Sequence, residues 1–206
     1  GEGRQRLVLW FQGGGYCQDD ASCVDRWYPN SPLMSSTSWG QTRTMNSGLL
    51  SVDPAVSPLA SDAVILLPYC SSDAFFGTRE PFSVAELPFD LRFKGANIAE
   101  AVIDLLATAP PPNIPTLKHA TRIVVAGNSA GTGGVLGHAD RVTAAAGGRT
   151  DVYAVANAAW LFEYPSLNQE VLSSGGIAPY LGAITDYWDA MFDDDCQAQA
   201  VYEGTV

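Results

Sequence analysis

Residues Gly127-Asn128-Ser129-Ala130-Gly131 fit the pattern G-x-S-x-G. That spacing serves attack by a serine hydroxyl on an acyl carbon. A nucleophilic serine must stand on a sharp strand-to-helix turn, and side chains at Gly127 or Gly131 would collide with the neighbouring strand and helix. The backbone N–H of Ala130 then falls near a helix N-terminus, where it can hold the oxyanion that develops on the attacked carbonyl. The competing structural reading of the same residues is a tightly packed glycine turn with no chemistry. Nucleotide-binding readings fail on residue type. A phosphate-binding loop needs a Gly-Lys-Ser/Thr step, and a dinucleotide fingerprint beginning at Gly131 needs glycine where Leu136 stands.

A second glycine run, Gly13-Gly14-Gly15, follows directly on an apolar stretch. Backbone N–H groups in such a loop face a ligand without steric shielding, which suits the remaining oxyanion donors of a hydrolase. Cys17 and Cys23 are close enough in sequence to close a small disulfide loop that would hold this run in place. The alternatives are a flexible turn and two buried thiols.

A serine nucleophile needs a general base, and only His119 and His138 exist. His119 precedes the serine, against the usual order of serine, then acid, then histidine. His138 lies nine residues past Ser129, about 13 Å along a helix axis, beyond hydrogen-bond reach. Both are expected to be structural or solvent-facing, with no evident partner. Asp186, Asp189 and the run Asp193 to Asp195 follow the serine, but none is assigned as the acid.

The elements that would position these groups are readable as blocks. "RLVLWFQ" (6–12), "DAVILLPYC" (62–70), "RIVVAG" (122–127) and "DVYAVANAAW" (151–160) read as strands, the first three of them buried. The polar, proline-bearing stretch between the first two reads as loop with short helical pieces. Ile98, Val102, Leu105 and Leu106 have helical spacing within residues 93–109, and Pro110 to Pro112 stop that helix. A glycine-rich helix is expected after Ser129, and another over residues 177–192. Continuous apolar strands alternating with helices predict an α/β class with a mostly parallel sheet flanked by helices.

Composition narrows the partners. The chain has 206 residues, of which 47% are hydrophobic and 16% charged, which predicts one packed domain. A formal net charge of −11 repels phosphate backbones, so nucleic acid is not an expected partner. No stretch approaches the ~20 apolar residues of a membrane-spanning helix. The acidic run 193–195 reads as solvated surface, since it lacks the spaced ligands of a calcium loop. With two histidines and no CxxC pair, no metal or other cofactor is expected. Cysteine usage favours a secreted, disulfide-bearing protein. The opening "GEGRQR" enters a strand at once, as a chain that starts inside a domain would.

The blocks "LWFQGGGYC", "LMSSTSWGQTRT", "GLLS", "LLPYCSSDAFFG", "GNSAGTGGVLGHADRV" and "TDYWDAMFDDDC", taken in order, resemble the pectin acetylesterase and Notum family of serine carboxylesterases. "PYCSSD" and "LMSS" lie nearer the Notum branch, whose members remove a fatty acyl group from secreted signalling proteins. The resemblance implies an α/β-hydrolase-like fold, expected to be incomplete at both ends. Residues 1–206 would form a single catalytic domain matching its N-terminal two-thirds. It implies Ser129 as nucleophile and the N–H groups of Gly14, Gly15 and Ala130 as the oxyanion hole. Cys17–Cys23 matches a family disulfide. Cys70 and Cys196 would bridge to cysteines outside this chain, and the acid and histidine would follow residue 206, leaving the 206 residues alone nearly inactive. Gln12 and Gly15 stand where the family often has glutamate and a bulky aromatic. The substrate expected is an O-acyl ester, either an acylated secreted protein or an O-acetylated polysaccharide such as pectin. The alternative is a noncatalytic homologue that binds acyl or carbohydrate ligands.

Overall fold

The computed structural model describes residues 6–44, 46–158 and 177–192. Four strands form one parallel sheet in the order β2-β1-β5-β6: β1 (Arg6–Phe11), β2 (Ala63–Leu67), β5 (Arg122–Asn128) and β6 (Asp151–Asn157). A two-residue hairpin, β3 (Phe82–Ser83) and β4 (Asp90–Leu91), lies apart from it. The helices are α1 (Asp20–Asn30), α2 (Gly95–Thr108), α3 (Gly131–Ala146) and α4 (Ile177–Trp188). The α/β class and the parallel sheet agree with the expectation from sequence.

The two central strands are apolar on both faces because both faces are covered. Leu7, Leu9 and Phe11 of β1 share a core with Ile123 and Val125 of β5 and with Ile103, Leu106, Val135 and Val142 of α2 and α3. The alternate residues Val8, Trp10, Val124 and Ala126 pack with Leu50 on the other face, where Leu49, Leu59 and Leu66 complete the cover. Alternation of side chains across a pleated strand produces this division. At the N-terminal ends of the strands, buried Asp62 pairs with Arg6 at 2.8 Å and Arg122 at 2.6 Å, fixing the end of the sheet opposite the serine.

Four features differ from the sequence reading. Leu106 is buried as its spacing predicts, but Leu105 is 46% exposed, and α2 also buries Ala96, Ala99 and Ile103. The buried face is thus shifted from the one predicted and includes two alanines. An eleven-residue helix, α1, stands where loop with short helical pieces was expected. Its apolar pattern is sparse, and a capping box between Asp19 and Ser22 starts it. The fourth strand ends at Asn157 and is exposed along most of its length, with Tyr153 at 53%. It lies at the end of the strand order, with a neighbour on one side only among the described residues. The last helix ends at Trp188 rather than 192. Cys196, the acidic run 193–195, residues 159 and 160 of the expected strand and the first five residues lie outside the described residues.

Candidate active site

β5 ends at Asn128, α3 begins at Gly131, and Ser129 stands between them with φ +52°. That is left-handed backbone, costly for a residue with a Cβ and sustained only where its surroundings enforce it. Three contacts do so. Ser129 N donates to Asn157 O at the end of β6 (2.9 Å), and Thr132 N donates to Ser129 O (2.9 Å). Thr132 Oγ1 donates to the same Asn157 carbonyl at 3.0 Å. The flanking glycines are required by space. A Cβ on Gly127 would lie 2.2 Å from Gly131 O, and one on Gly131 would lie 2.2 Å from Phe11 O.

The glycine run leaves β1 at the same sheet edge, since Phe11 is level with Gly127 in the β1–β5 register. Gly13 sits against the serine turn: its N–H donates to Asn128 Oδ1 at 3.3 Å, and a Cβ there would meet Asn128 O at 2.2 Å. Gly14 packs against Leu33 and Tyr69, and Gly15 takes φ +69°, a conformation natural to glycine. Gln12 ties the entry of the loop down: its Oε1 accepts from Arg43 Nη1 (2.7 Å) and Tyr69 N (3.2 Å). The Cys17–Cys23 disulfide is present, and Trp188 Nε1 donates to Cys17 O at 2.7 Å.

Arg26 of α1 reaches the outer side of this loop. Its Nη2 donates to Gly14 O at 2.5 Å and Gly15 O at 3.4 Å, and its Nε donates to Ser72 Oγ at 2.8 Å. Burial pulls the guanidinium down from its ordinary value, yet arginine stays charged in proteins.

A third loop, after β2, completes the edge. Ser72, Ala74 and Phe75 have φ of +56°, +50° and +67°. The buried Asp73 carboxylate holds them: it accepts from Ser71 Oγ (2.6 Å), Phe75 N (3.1 Å) and Gly95 N (2.7 Å). The last of these satisfies an N–H at the start of α2. Burial raises Asp73 to about 6, against the pull of those hydrogen bonds. Ser72 O accepts from Cys17 N at 3.1 Å, coupling this loop to the glycine loop.

His138 is buried and His119 solvent-exposed, as expected, but both have partners, contrary to the expectation. His138 is buried, its Nε2 lies 2.9 Å from Phe75 O, and its ring stacks on Phe11. Bonding to a carbonyl makes Nε2 the protonated nitrogen, and burial lowers its pKa. His119 Nδ1 lies 2.8 Å from Thr116 Oγ1, ahead of β5. Seven residues of strand separate that end from Ser129, about 23 Å. Cys70 is a free, half-buried thiol among the described residues. It lines a cavity of about 480 Å³ with Trp27, Met34, Phe89 and Arg92; Ser129 is not part of that lining. Among the described residues no cluster of three or more His, Cys, Asp or Glu forms a metal site, and no helix is long and apolar enough to cross a membrane.

The structure therefore brings together Ser129, Gly127, Gly131, Ala130, Gly13 and the loop of Gly14 and Gly15 at the C-terminal ends of β1 and β5, where open parallel sheets bind ligands. Sequence reasoning passed over Arg26, Asp73, Asn128 and Asn157, whose contributions depend on contacts remote in sequence.

Comparison with known proteins agrees with this arrangement. A family model described as pectinacetylesterase matches residues 1–175. The mouse palmitoleoyl-protein carboxylesterase NOTUM is 31% identical over 210 residues, covering 96% of this chain and 39% of that protein. Its human counterpart is 36% identical over 142 residues, 68% of this chain and 26% of that protein. The crystal structure of the Wnt deacylase Notum from Drosophila superposes with a TM-score of 0.79 at 27% identity, covering 96% of this chain and 56% of that one. The chain thus spans little more than half of the solved relative and less of the curated ones.

Proposed function

This chain belongs to the pectinacetylesterase family, and from that membership and the Ser129 turn we propose that it carries the nucleophile of a carboxylic ester hydrolase. The observation that carries the reading is a serine held at φ +52° between a parallel strand and a helix, with glycine on both sides for want of space. Ser129 Oγ attacks the acyl carbon while its proton passes to a general base, and the carbonyl electron pair collects on oxygen. Collapse expels the alcohol, which takes up the proton, and leaves an acyl-Ser129 ester that water hydrolyses by the same steps. The N–H groups of Gly14, Gly15 and Ala130 are the proposed oxyanion donors.

The base is proposed to come from outside these 206 residues. His138 is committed to Phe75 O, and His119 is about 23 Å away at the other end of β5. In this reading residues 1–206 are the N-terminal part of one α/β-hydrolase-like catalytic domain. Cys70 and Cys196 are proposed to bridge to cysteines outside this chain.

The substrate class is an O-acyl ester. The curated relatives act on palmitoleoyl-proteins by name, and the family description names pectin acetyl groups; an acylated protein or an O-acetylated polysaccharide is proposed here. The Cys17–Cys23 disulfide supports secretion into an oxidising compartment. The test is incubation of the complete translated protein with a fluorophosphonate and with nitrophenyl esters from acetate to palmitate. Labelling of the Ser129 peptide, with turnover lost in Ser129→Ala, supports the reading, and the chain length preferred separates acetyl from fatty acyl substrates. Ligand binding with neither labelling nor turnover would establish the noncatalytic alternative.

A further inference from the structure

Among the described residues Arg26 has no carboxylate partner. A half-buried guanidinium is costly to desolvate unless its donors are used, and Arg26 uses them on Gly14 O, Gly15 O and Ser72 Oγ. Charge-assisted bonds of this kind are stronger than those between neutral groups. The peptide bonds described are trans, so the C=O of Gly14 and the N–H of Gly15 point in opposite directions. Drawing the Gly14 carbonyl toward α1 therefore turns the Gly15 N–H away from α1. Glycine at position 15 permits this approach: a Cβ there would lie 3.2 Å from Arg26 Nη1, and φ is +69°.

We propose that Arg26 is a positioning residue for ester hydrolysis, fixing the orientation of the Gly15 N–H so that it meets the oxyanion without reorganisation. The inference rests on the reading of Ser129 as nucleophile. Arg26 touches no reacting atom. Its bond to Ser72 Oγ, which in turn donates to Leu33 O at 2.9 Å, braces the guanidinium against the loop after β2, so the clamp has a fixed support. A preorganised donor acts on the transition state, where negative charge gathers on oxygen, more than on the neutral substrate. The clamp should accordingly govern kcat and leave KM nearly alone.

The experiment uses the complete translated enzyme and compares Arg26→Ala and Arg26→Lys with the parent. The readouts are kcat and KM on a nitrophenyl ester, the rate of fluorophosphonate labelling, and thermal midpoint. Arg26→Ala is expected to lower kcat and labelling rate by about 10- to 100-fold, since a donor misplaced by an ångström costs of this order. KM should stay within about twofold, and millimolar guanidinium should restore part of the rate. Arg26→Lys reaches one carbonyl with a point charge but cannot span to Ser72 as well, so a smaller loss is expected; it carries the test if Arg26→Ala fails to fold. Labelling of the folded variants at the parental rate overturns the proposal, as does a change confined to KM. A parent enzyme that is not labelled at Ser129 defeats the nucleophile reading itself, a result distinguishable from loss of the Arg26 role alone.

Discussion

Gly131 lies directly against the backbone of Phe11, so that a Cβ on Gly131 would sit 2.2 Å from the Phe11 carbonyl oxygen. The first turn of α3 is pressed onto the end of β1, and this contact brings the serine turn beside the glycine loop. Backbone cannot swing aside as a side-chain tip can. Gly131→Ala is therefore expected to cost about 3 kcal/mol of stability or to displace α3. Gly182, with nothing within 4 Å of its added Cβ, lies inside α4, and Gly182→Ala should gain about 0.5–1 kcal/mol from helix propensity. Denaturant titration of both variants checks the pair. Equal effects would mean that the close approach at Gly131 is not rigid.

At Ser129 activity and stability are expected to move in opposite directions. Both Ser129→Ala and Ser129→Gly remove the hydroxyl, and each should reduce ester hydrolysis by at least about 10³-fold. Alanine retains the cost of a Cβ at φ +52°, whereas glycine adopts that backbone freely. Ser129→Gly should therefore exceed Ser129→Ala in stability by about 1 kcal/mol. Calorimetry of the two inactive proteins decides it, and an alanine variant of equal or greater stability would show that the turn stores no strain.

The parts of this site legible in the sequence are those whose constraint is local. Gly127 and Gly131 flank a serine after a β-branched run, and a turn that excludes Cβ atoms demands that composition whatever surrounds it. β1 and β5 were equally legible, because a strand covered on both faces must be apolar throughout. Arg26 and Asp73 were not. Arg26 acts on carbonyls 11 and 12 residues away and on Ser72, 46 residues away, and Asp73 caps Gly95 across 22 residues. In sequence an arginine on a polar helix resembles solvated surface. The phase of α2 was legible only in part: Leu106 is buried as its spacing predicts, but Leu105 is 46% exposed while Ala96 and Ala99 are buried, and hydrophobic periodicity underweights alanine.

Asp73 should give the fold a pH dependence of unusual sign. Its carboxyl is raised to about 6 from 3.8 by burial. Between those values the folded chain holds a proton that the unfolded chain has released, so stability falls as pH rises through the window and is flat above it. The size is about 3 kcal/mol. His138, lowered by burial, acts oppositely, weakening the fold as pH falls through the ordinary histidine range. Subtracting the profile of Asp73→Asn, which cannot titrate at that position, isolates the carboxyl. The difference should shrink from pH 4 to pH 6; a difference that grows with pH would mean that Ser71, Phe75 and Gly95 stabilise the anion more than burial penalises it.

The disulfide links two residues six apart, so it restricts only a short loop of the unfolded chain. Loop-closure entropy for that length gives about 2 kcal/mol. Its effect on the site should exceed this small share of stability. Cys17 is joined to the loop after β2 through Ser72 O and to α4 through Trp188, and it follows Gly15 by two residues. A Cys17→Ser, Cys23→Ser double variant is expected to unfold at lower denaturant by an amount corresponding to ~2 kcal/mol. In the complete enzyme it should also lose kcat in larger proportion than KM, since loosening Cys17 loosens the donors ahead of it. Measuring both quantities on one preparation separates the two roles. Stability lost with kcat intact would confine the bridge to a structural function, and the glycine loop would then owe its order to contacts other than the bridge, those of Gln12, Asn128 and Arg26 among them.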